Sequence, residues 1–455
     1  MKRRALVYVL SVLLLGLPFA ASPARAAGLR VSVLADFGDG TYRWADVDLP
    51  PSNVTAIKAT ELANATWGLG PLRVSWFNSP FCLRSPCAFV NDIGNRSPVY
   101  PVWWHFYIWN LTAKGWDAAP YGPSDTDLVD GASIAWYLAV DDPVTYASPR
   151  PVPTPAFRDV WTSFRGDAHN TGLAHGTIPV TNHLLWDHDV GIKEIDATPV
   201  VAYGNVYVAT RTALVALDAE TGAEVWRNAF VHDLLSTPAV YDGHLVLGGT
   251  DGRLHYVNAF NGTEEWSVLV EPGARSTGIA SSPTVYMGLA YVGTFNESAG
   301  GKGRVVAVNL NNGTIAWAFD APGAIHMSKP LLAGAYLWVG VMGVYDGAVD
   351  YSPPYGLLAV ALDGSAGVMA VNTSDSVAGT PAVAPSFVFG TYCRIFFAAK
   401  DGYLYDNNLC LDYQIQWGRR SVGPSVSSPV AGLRYVVVGT GGVGGGGNFS
   451  ATTFG

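Results

Sequence analysis

The chain has 455 residues, of which 49% are hydrophobic and only 14% charged, and its net charge is −9. That composition provides for a large packed core and excludes bulk disorder. The acidic balance excludes a nucleic-acid partner, which needs a basic footprint, and the length allows two or three domains.

The N-terminus reads as an export signal over residues 1–26. Lys2-Arg3-Arg4 precedes the apolar stretch Ala5 to Phe19, and Ala24-Arg25-Ala26 fits a small-x-small cleavage site. The alternative is an uncleaved membrane anchor, although the stretch is near the short end of a spanning helix. No later stretch is apolar enough to cross a membrane. Localisation is therefore expected to be secreted or at the cell surface.

Residues 28–141 form a first unit. Leu29 to Leu34 alternates as a strand, Asp39-Gly40 turns it, and Thr41 to Leu49 returns. Ser52 can N-cap a short helix carrying Val54, Ile57 and Leu62. Further strands follow at Leu72 to Phe77, Trp103 to Trp109 and Ala132 to Val140. This order suggests a small α+β domain of the β-grasp kind. The tryptophans Trp103, Trp104, Trp109, Trp116 and Trp136 read as its core, or as a platform for a flat ligand such as a carbohydrate. The phrases Phe89-Val-Asn-Asp-Ile-Gly, Trp103-Trp-His-Phe-Tyr-Ile-Trp-Asn and Leu128-Val-Asp-Gly-Ala-Ser-Ile-Ala-Trp-Tyr resemble the transcobalamin C-terminal-like domain family. That resemblance implies cobalamin-like small-molecule capture. The family's helical barrel is absent here, and Leu111 stands where its glycine is usual. Residues 142–155 hold five prolines counting from Pro143 and read as a semi-rigid linker.

Residues 156–455 are repetitive. A small residue, one intervening residue and a proline recur at Ala197-Thr198-Pro199, Ser236-Thr237-Pro238, Ser281-Ser282-Pro283, Ser328-Lys329-Pro330, Gly379-Thr380-Pro381 and Ser427-Ser428-Pro429. Each copy leads into apolar runs separated by turns, then into a Gly-x-x-x-Trp phrase or its remnant. Trp186, Trp226, Trp266, Trp317 and Trp417 mark these ends, with Val371 in place of a sixth. Repeats of about 40 to 54 residues built from strands are propeller blades. The last copy stops after strands at Tyr435 to Gly439 and Asn448 to Phe454. Leu184 to Val190 supplies a fourth strand with no blade before it. Joining the two closes six blades and hides both edges. The expected fold is thus mainly β, a six-bladed propeller preceded by the small α+β domain.

The Gly and Trp of each repeat are read as structural. The glycine permits the tight turn, and the indole packs on the next blade's turn and donates its N–H to a carbonyl. The phrases Ala216-Leu-Asp-Ala-Glu-Thr-Gly-Ala-Glu-Val-Trp226, Asn261-Gly-Thr-Glu-Glu-Trp266 and Asn312-Gly-Thr-Ile-Ala-Trp317 resemble the PQQ-like (quinoprotein) propeller repeats. So does the lead-in Trp161-Thr-Ser-Phe-Arg-Gly-Asp-Ala-His-Asn-Thr-Gly172. The resemblance implies a central axis where quinoprotein dehydrogenases hold PQQ with calcium. Those enzymes also carry adjacent cysteines, and no two cysteines are adjacent here. The chain looks more like the family's non-catalytic branch, whose propeller lipoproteins bind protein segments.

The loops leading into the inner strands supply Lys193, Glu194, Asp196, His232, Arg275, His326, Lys329, Asp375, Arg419 and Arg420. That mix suits an anionic small molecule on the axis; the plainer reading is a solvated polar rim. No nucleophilic elbow, Walker loop or dinucleotide fingerprint is present, so no catalytic or metal residue is assigned. Cys82 with Cys87 and Cys393 with Cys410 are expected as disulfides. Sequons at Asn53, Asn64, Asn95, Asn110, Asn261, Asn296, Asn312, Asn372 and Asn448 suggest a glycosylated surface. The function expected is non-enzymatic binding or scaffolding of a protein, peptide or small ligand, with no cofactor. The alternatives are a PQQ- and calcium-dependent oxidoreductase and capture of a cobalamin-like ligand by the first domain.

Overall fold

The computed structural model describes residues 29–453 apart from 80–81, 95, 97, 99–100, 142–147, 175–180, 192–194, 275–277, 299, 348–350, 385–393, 409–417, 432–434 and 442–447. The expected signal segment, Lys193, Glu194, Arg275, Trp417, Cys393, Cys410 and Asn95 lie outside the described residues. No helix among the described residues is long and apolar enough to cross a membrane.

The first unit contains β1 (Leu29–Asp36), β2 (Tyr42–Leu49), α1 (Ala56–Trp67), β3 (Arg73–Phe77), β4 (Cys87–Asp92), β5 (Val102–Asn110), β6 (Gly115–Ala118) and β7 (Ser133–Val140). Its main sheet has the order β2-β1-β7-β5-β6, with β1 and β7 parallel at the centre. Alternation along β1 decides the two faces. Val31, Val33 and Ala35 join Ile57, Ala59 and Ala63 of α1 in one core. Leu34 points the other way, into a second cluster with Tyr42, Tyr107, Trp116 and Tyr137. Of the tryptophans, Trp104, Trp116 and Trp136 are buried and Trp103 is exposed. Cys82 and Cys87 form a disulfide.

Two expectations for this unit need correction. The helix is capped by Thr55, whose hydroxyl accepts from the Lys58 N–H, and not by Ser52. The reason is pairing upstream: Leu128 N–H donates to Val54 O and Ala56 N–H to Thr126 O. These bonds keep Val54 out of the helix and leave Thr55 to cap it. The other concerns the proline-rich segment, read as a semi-rigid linker: where it is described it is bonded along the first unit. Tyr107 Oη donates to Pro149 O at 2.8 Å and Trp116 Nε1 to Pro153 O at 2.9 Å, so the segment lies on the second face of the sheet.

Among the described residues the second unit contains five four-stranded antiparallel sheets, over residues 200–229, 239–269, 284–320, 331–372 and 382–421. A three-stranded sheet follows over 430–453. The inner strands are Val200–Ala202, Ala239–Tyr241, Thr284–Tyr286, Leu331–Ala333, Ala382–Ala384 and Val430–Ala431. Successive sheets are joined by indoles on glycines. Trp186, Trp226 and Trp317 donate their N–H groups to the carbonyls of Ala219, Ala259 and Leu362 at 2.9–3.0 Å. Their rings lie flat against Gly222, Gly262 and Gly364, where a Cβ would come within 2.5–2.6 Å of the indole. Trp266 covers Gly313 in the same way. Val371 lies in the apolar cluster between the fourth and fifth sheets.

Residues 184–190, expected as a fourth strand of the last blade, carry no strand pairing. The segment is held by the first sheet instead. Trp186 docks there, and Arg227 Nη1 donates to Val190 O at 3.0 Å.

Candidate functional site

The recurring small-x-Pro phrase is a device for joining sheets around an axis. Proline has no N–H and fixes φ, so it opens each inner strand where no ladder donor is wanted. The residue before it does two jobs. Thr198 N–H donates to Thr237 Oγ1 at 2.9 Å, and Thr237 N–H donates to Ser282 Oγ at 3.1 Å. Further round, Lys329 N–H donates to Thr380 Oγ1 and Thr380 N–H to Ser428 Oγ, both at 2.9 Å. Each sheet therefore offers a hydroxyl to the sheet before it and an N–H to the sheet after it. Lys329 interrupts the series because it has no hydroxyl to offer Ser282.

The lead-in Trp161–Gly172 fills the axis that these strands surround. Trp161 bridges Val201, and Thr162 O accepts from Val240 N–H. Ala168 O accepts from Leu332 N–H, Asn170 Nδ2 donates to Pro381 O, and Arg165 Nη2 donates to Ser428 O. A segment that touches the inner edges of five sheets lies on their common axis. Arg165, Gly166, Asn170 and Gly172 take positive φ, which winds the segment tightly. Asp167, fully buried, organises the winding by accepting from the N–H groups of His169 and Thr171 and from the Thr171 hydroxyl. Burial raises its pKa.

Lys329 reaches into this plug. Its Nζ lies 3.0 Å from Ser163 Oγ, 2.8 Å from Phe164 O and 2.7 Å from Asp167 O. The side chain is fully buried, and desolvation lowers its pKa from 10.5 to about 7. The expectation that Lys329 meets a ligand is thereby corrected: its donors are spent on the chain itself.

The plug also fastens the first unit. His169 donates from Nδ1 to Leu332 O at 2.7 Å and from Nε2 to Asp39 Oδ2 at 2.9 Å. Two acceptors require both ring nitrogens to carry protons. Burial opposes that charge, but Asp39 outweighs it and the His169 pKa is raised. Burial likewise opposes the Asp39 carboxylate, yet His169, Arg96 and Thr41 hold its pKa far below the usual range. Ala168 N–H donates to Asp39 O, and Arg158 pairs with Asp46 at 2.9 Å beneath Trp44. Asp36 lines a small cavity at this junction with Tyr42, Tyr137 and Asp167. Burial pushes its pKa to about 7.

The other described candidates are not gathered on the axis. Asp196 pairs with Arg211 at 2.9 Å, and Arg211 also reaches Asp233. His326 packs its ring against Phe295, and burial lowers its pKa. Arg419 is corrected outright. It lies on Gly418–Ser421, the strand of its sheet farthest from the inner strand, with its guanidinium over Tyr403. Its place on that outer strand carries Arg419 away from the mouth. The Asn296 sequon is corrected too. Asn296 is 3% exposed, and its Nδ2 is held by Glu271 Oε1 and Pro272 O. Asn53, Asn261, Asn312 and Asn372 are exposed, while Asn64 and Asn110 are partly covered.

A cluster absent from the sequence expectations is His232, Asp251 and His255, whose ligand atoms lie within 4.8 Å of one another. Three separate elements supply it, so no spacing motif announces it. Likewise, Asp39 and His169 are 130 residues apart.

The residues on the axis do not fit PQQ with calcium, the group implied by the quinoprotein resemblance. The stretch lined by the inner strands is filled by residues 161–172. The described charged groups nearby are bonded to one another or to the main chain.

Residues 174–324 match the family described as outer membrane protein assembly factor BamB. The BamB of Yersinia pestis is 34% identical over 161 residues, covering 33% of this chain and 39% of that protein. Quinohemoprotein alcohol dehydrogenase ADH-IIG of Pseudomonas putida is 27% identical over 200 residues, covering 38% and 28%. The solved quinohemoprotein alcohol dehydrogenase of Comamonas testosteroni aligns over 59% of this chain and 50% of its own, with TM-score 0.48 and 17% identity. The chain spans less than two fifths of the length of these curated relatives. The family match and the curated relatives support a PQQ-like β-propeller in the second unit. The family match begins at residue 174, so it lends no support to the transcobalamin-like reading of the first.

Proposed function

We propose that this chain is an exported, non-enzymatic binding protein in which a six-bladed PQQ-like propeller serves as a docking platform for a protein segment. The observation that carries this reading is the filled axis. Lys329 and Arg165 commit their donors to the lead-in and to the inner strands, so the place where a quinoprotein of this fold holds its cofactor is taken by the chain's own backbone. The basic and apolar N-terminal stretch supports export, and the exposed sequons support a glycosylated outer surface. Relatives named as assembly factors support a protein partner. The parallel β1–β7 pair with α1 on one face supports a β-grasp-like first unit.

The test is calorimetric titration of the mature chain with PQQ, with and without calcium, followed by dye-coupled turnover on alcohols. The expected result is no saturable heat and no turnover. Stoichiometric binding with turnover would overturn the reading and make the chain an oxidoreductase.

A further inference from the structure

His232 lies in the connection between the first and second sheets, Asp251 on a turn of the second sheet, and His255 on its strand Arg253–Asn258. The two imidazoles stack with centroids 4.8 Å apart and planes 18° apart. Asp251 faces both: Oδ2 lies 3.4 Å from His232 Nδ1, and Oδ1 lies 3.6 Å from His255 Nε2. Both Nε2 atoms are buried without a hydrogen-bond partner. The His255 side chain is only 3% exposed. An orphaned buried ring nitrogen demands an explanation.

Glu264 sharpens the question. Its Oε2 lies 3.1 Å from His255 Nδ1, so Nδ1 carries the proton and donates. With Nδ1 committed to Glu264, Nε2 is the ring nitrogen that faces the Asp251 carboxylate and is open to a cation. The two lie 3.6 Å apart. A cation between them would be ligated by both. A carboxylate that orients a histidine through its far nitrogen is also the usual outer shell of a metal-bound imidazole.

Gly249 leaves the room. A Cβ at this position would lie 2.6 Å from both Asp251 Oδ1 and His232 Nε2. Phe230 packs its edge against both imidazoles and closes the apolar side. Asp251, partly exposed, leaves a way in.

We propose that His232, Asp251 and His255 bind a divalent cation of the zinc class, with Glu264 as the positioning carboxylate. Two imidazoles and one carboxylate select zinc, cobalt, nickel or copper over calcium and magnesium, which prefer all-oxygen shells. Three protein ligands leave a fourth position for water or for a donor from a partner.

The test uses the mature chain without a histidine tag, stripped by chelator. Cobalt(II) chloride is titrated and followed by visible absorption, and zinc chloride by competition with a chromogenic chelator. The expected result is about one equivalent of tight sites, with the intense d–d bands of a four-coordinate cobalt centre and a rise in melting temperature on adding zinc. His255→Ala and His232→Ala should abolish the tight site. Glu264→Gln should weaken it about 10- to 100-fold while keeping the stoichiometry. Gly249→Ala retains every ligand type but presses its Cβ on the His232 ring and the Asp251 carboxylate, so it should lose the site and also lower the metal-free melting temperature. Wild-type uptake no greater than that of the His232→Ala/His255→Ala double variant, or undiminished binding in Gly249→Ala, would overturn the proposal.

Discussion

Substituting Lys329 by methionine keeps the stem packed and removes the ammonium that holds the plug. Two main-chain oxygens, those of Phe164 and Asp167, lose their donor inside the protein. An unsatisfied buried acceptor costs about 1–3 kcal/mol, so the two bare carbonyls cost Lys329→Met about 2–5 kcal/mol, which near neutral pH is offset by the lysine's own burial penalty that methionine escapes. The size of the loss should depend on pH. The folded pKa is lowered to about 7 and the unfolded value is 10.5. Below pH 7 the lysine is protonated in both states, and the full burial penalty applies. Between 7 and 10.5 the unfolded chain binds the proton that the folded chain has released, so wild-type stability rises with pH. From pH 7 to pH 9 that gain is about 2–3 kcal/mol, at about 1.4 kcal/mol per pH unit.

Methionine does not titrate, so the gap between wild type and Lys329→Met should widen by that amount over the same interval. Comparing the two proteins cancels the other titrating groups. The assay is urea unfolding at pH 6, 7, 8 and 9, followed by tryptophan fluorescence, which the docked indoles report. A gap that is constant with pH would refute a lysine held neutral by burial and show that the carbonyls and Asp167 keep it charged.

The joints between sheets should be intolerant of a single methyl group. In Gly262→Ala the new Cβ would sit 2.5 Å from the Trp226 ring at a φ of +74°, so a lower urea midpoint, by about 1–3 kcal/mol, is expected. An unchanged midpoint would refute the docking account. Asp36 has its pKa raised to about 7, so the folded state holds a proton that the unfolded state has lost between about pH 4 and 7, and stability falls through that window as pH rises. Asp36→Asn should therefore raise the melting temperature more at pH 8 than at pH 5, and equal effects would count against it. Expression in a glycosylating host should leave Asn296 unmodified, because Glu271 and Pro272 hold its amide; an Asn296 glycopeptide in mass spectrometry would contradict the burial.

Much of the architecture is legible because it repeats. Trp226, Trp266 and Trp317 each follow a glycine by four residues, and the same indole-on-glycine contact forms each time. Local chemistry repeated along a chain is readable from the chain. What fails to repeat is harder to read. Ser52 and Thr55 are both competent caps, and only the pairing of Val54 with Leu128 decides between them. Arg419 looks like a mouth residue until strand length is known. His232, Asp251 and His255 come together because one inter-sheet connection folds over the next sheet's turn, and sequence spacing carries no trace of that. Lys329 was visible as a charge beside the axis, but its partners are more than 160 residues upstream.

The exception in the repeat explains how a nearly symmetric ring seats an asymmetric plug. Sheets that present similar inner edges offer the lead-in several near-equivalent rotations about the axis. Around most of the ring the residue before proline is a hydroxyl that serves only its neighbouring sheet. At the fourth sheet it is Lys329, and there the chain gives up the hydroxyl that would have met Ser282. In exchange it places three donors on one side of the axis, where only the turn formed by Ser163, Phe164 and Asp167 can satisfy them. That fixes one rotation of the plug. His169, two residues beyond Asp167, is then aimed at Asp39, and the orientation of the first unit follows from the same lysine. A repeat fold thus acquires a unique front and side from one broken copy of its own motif.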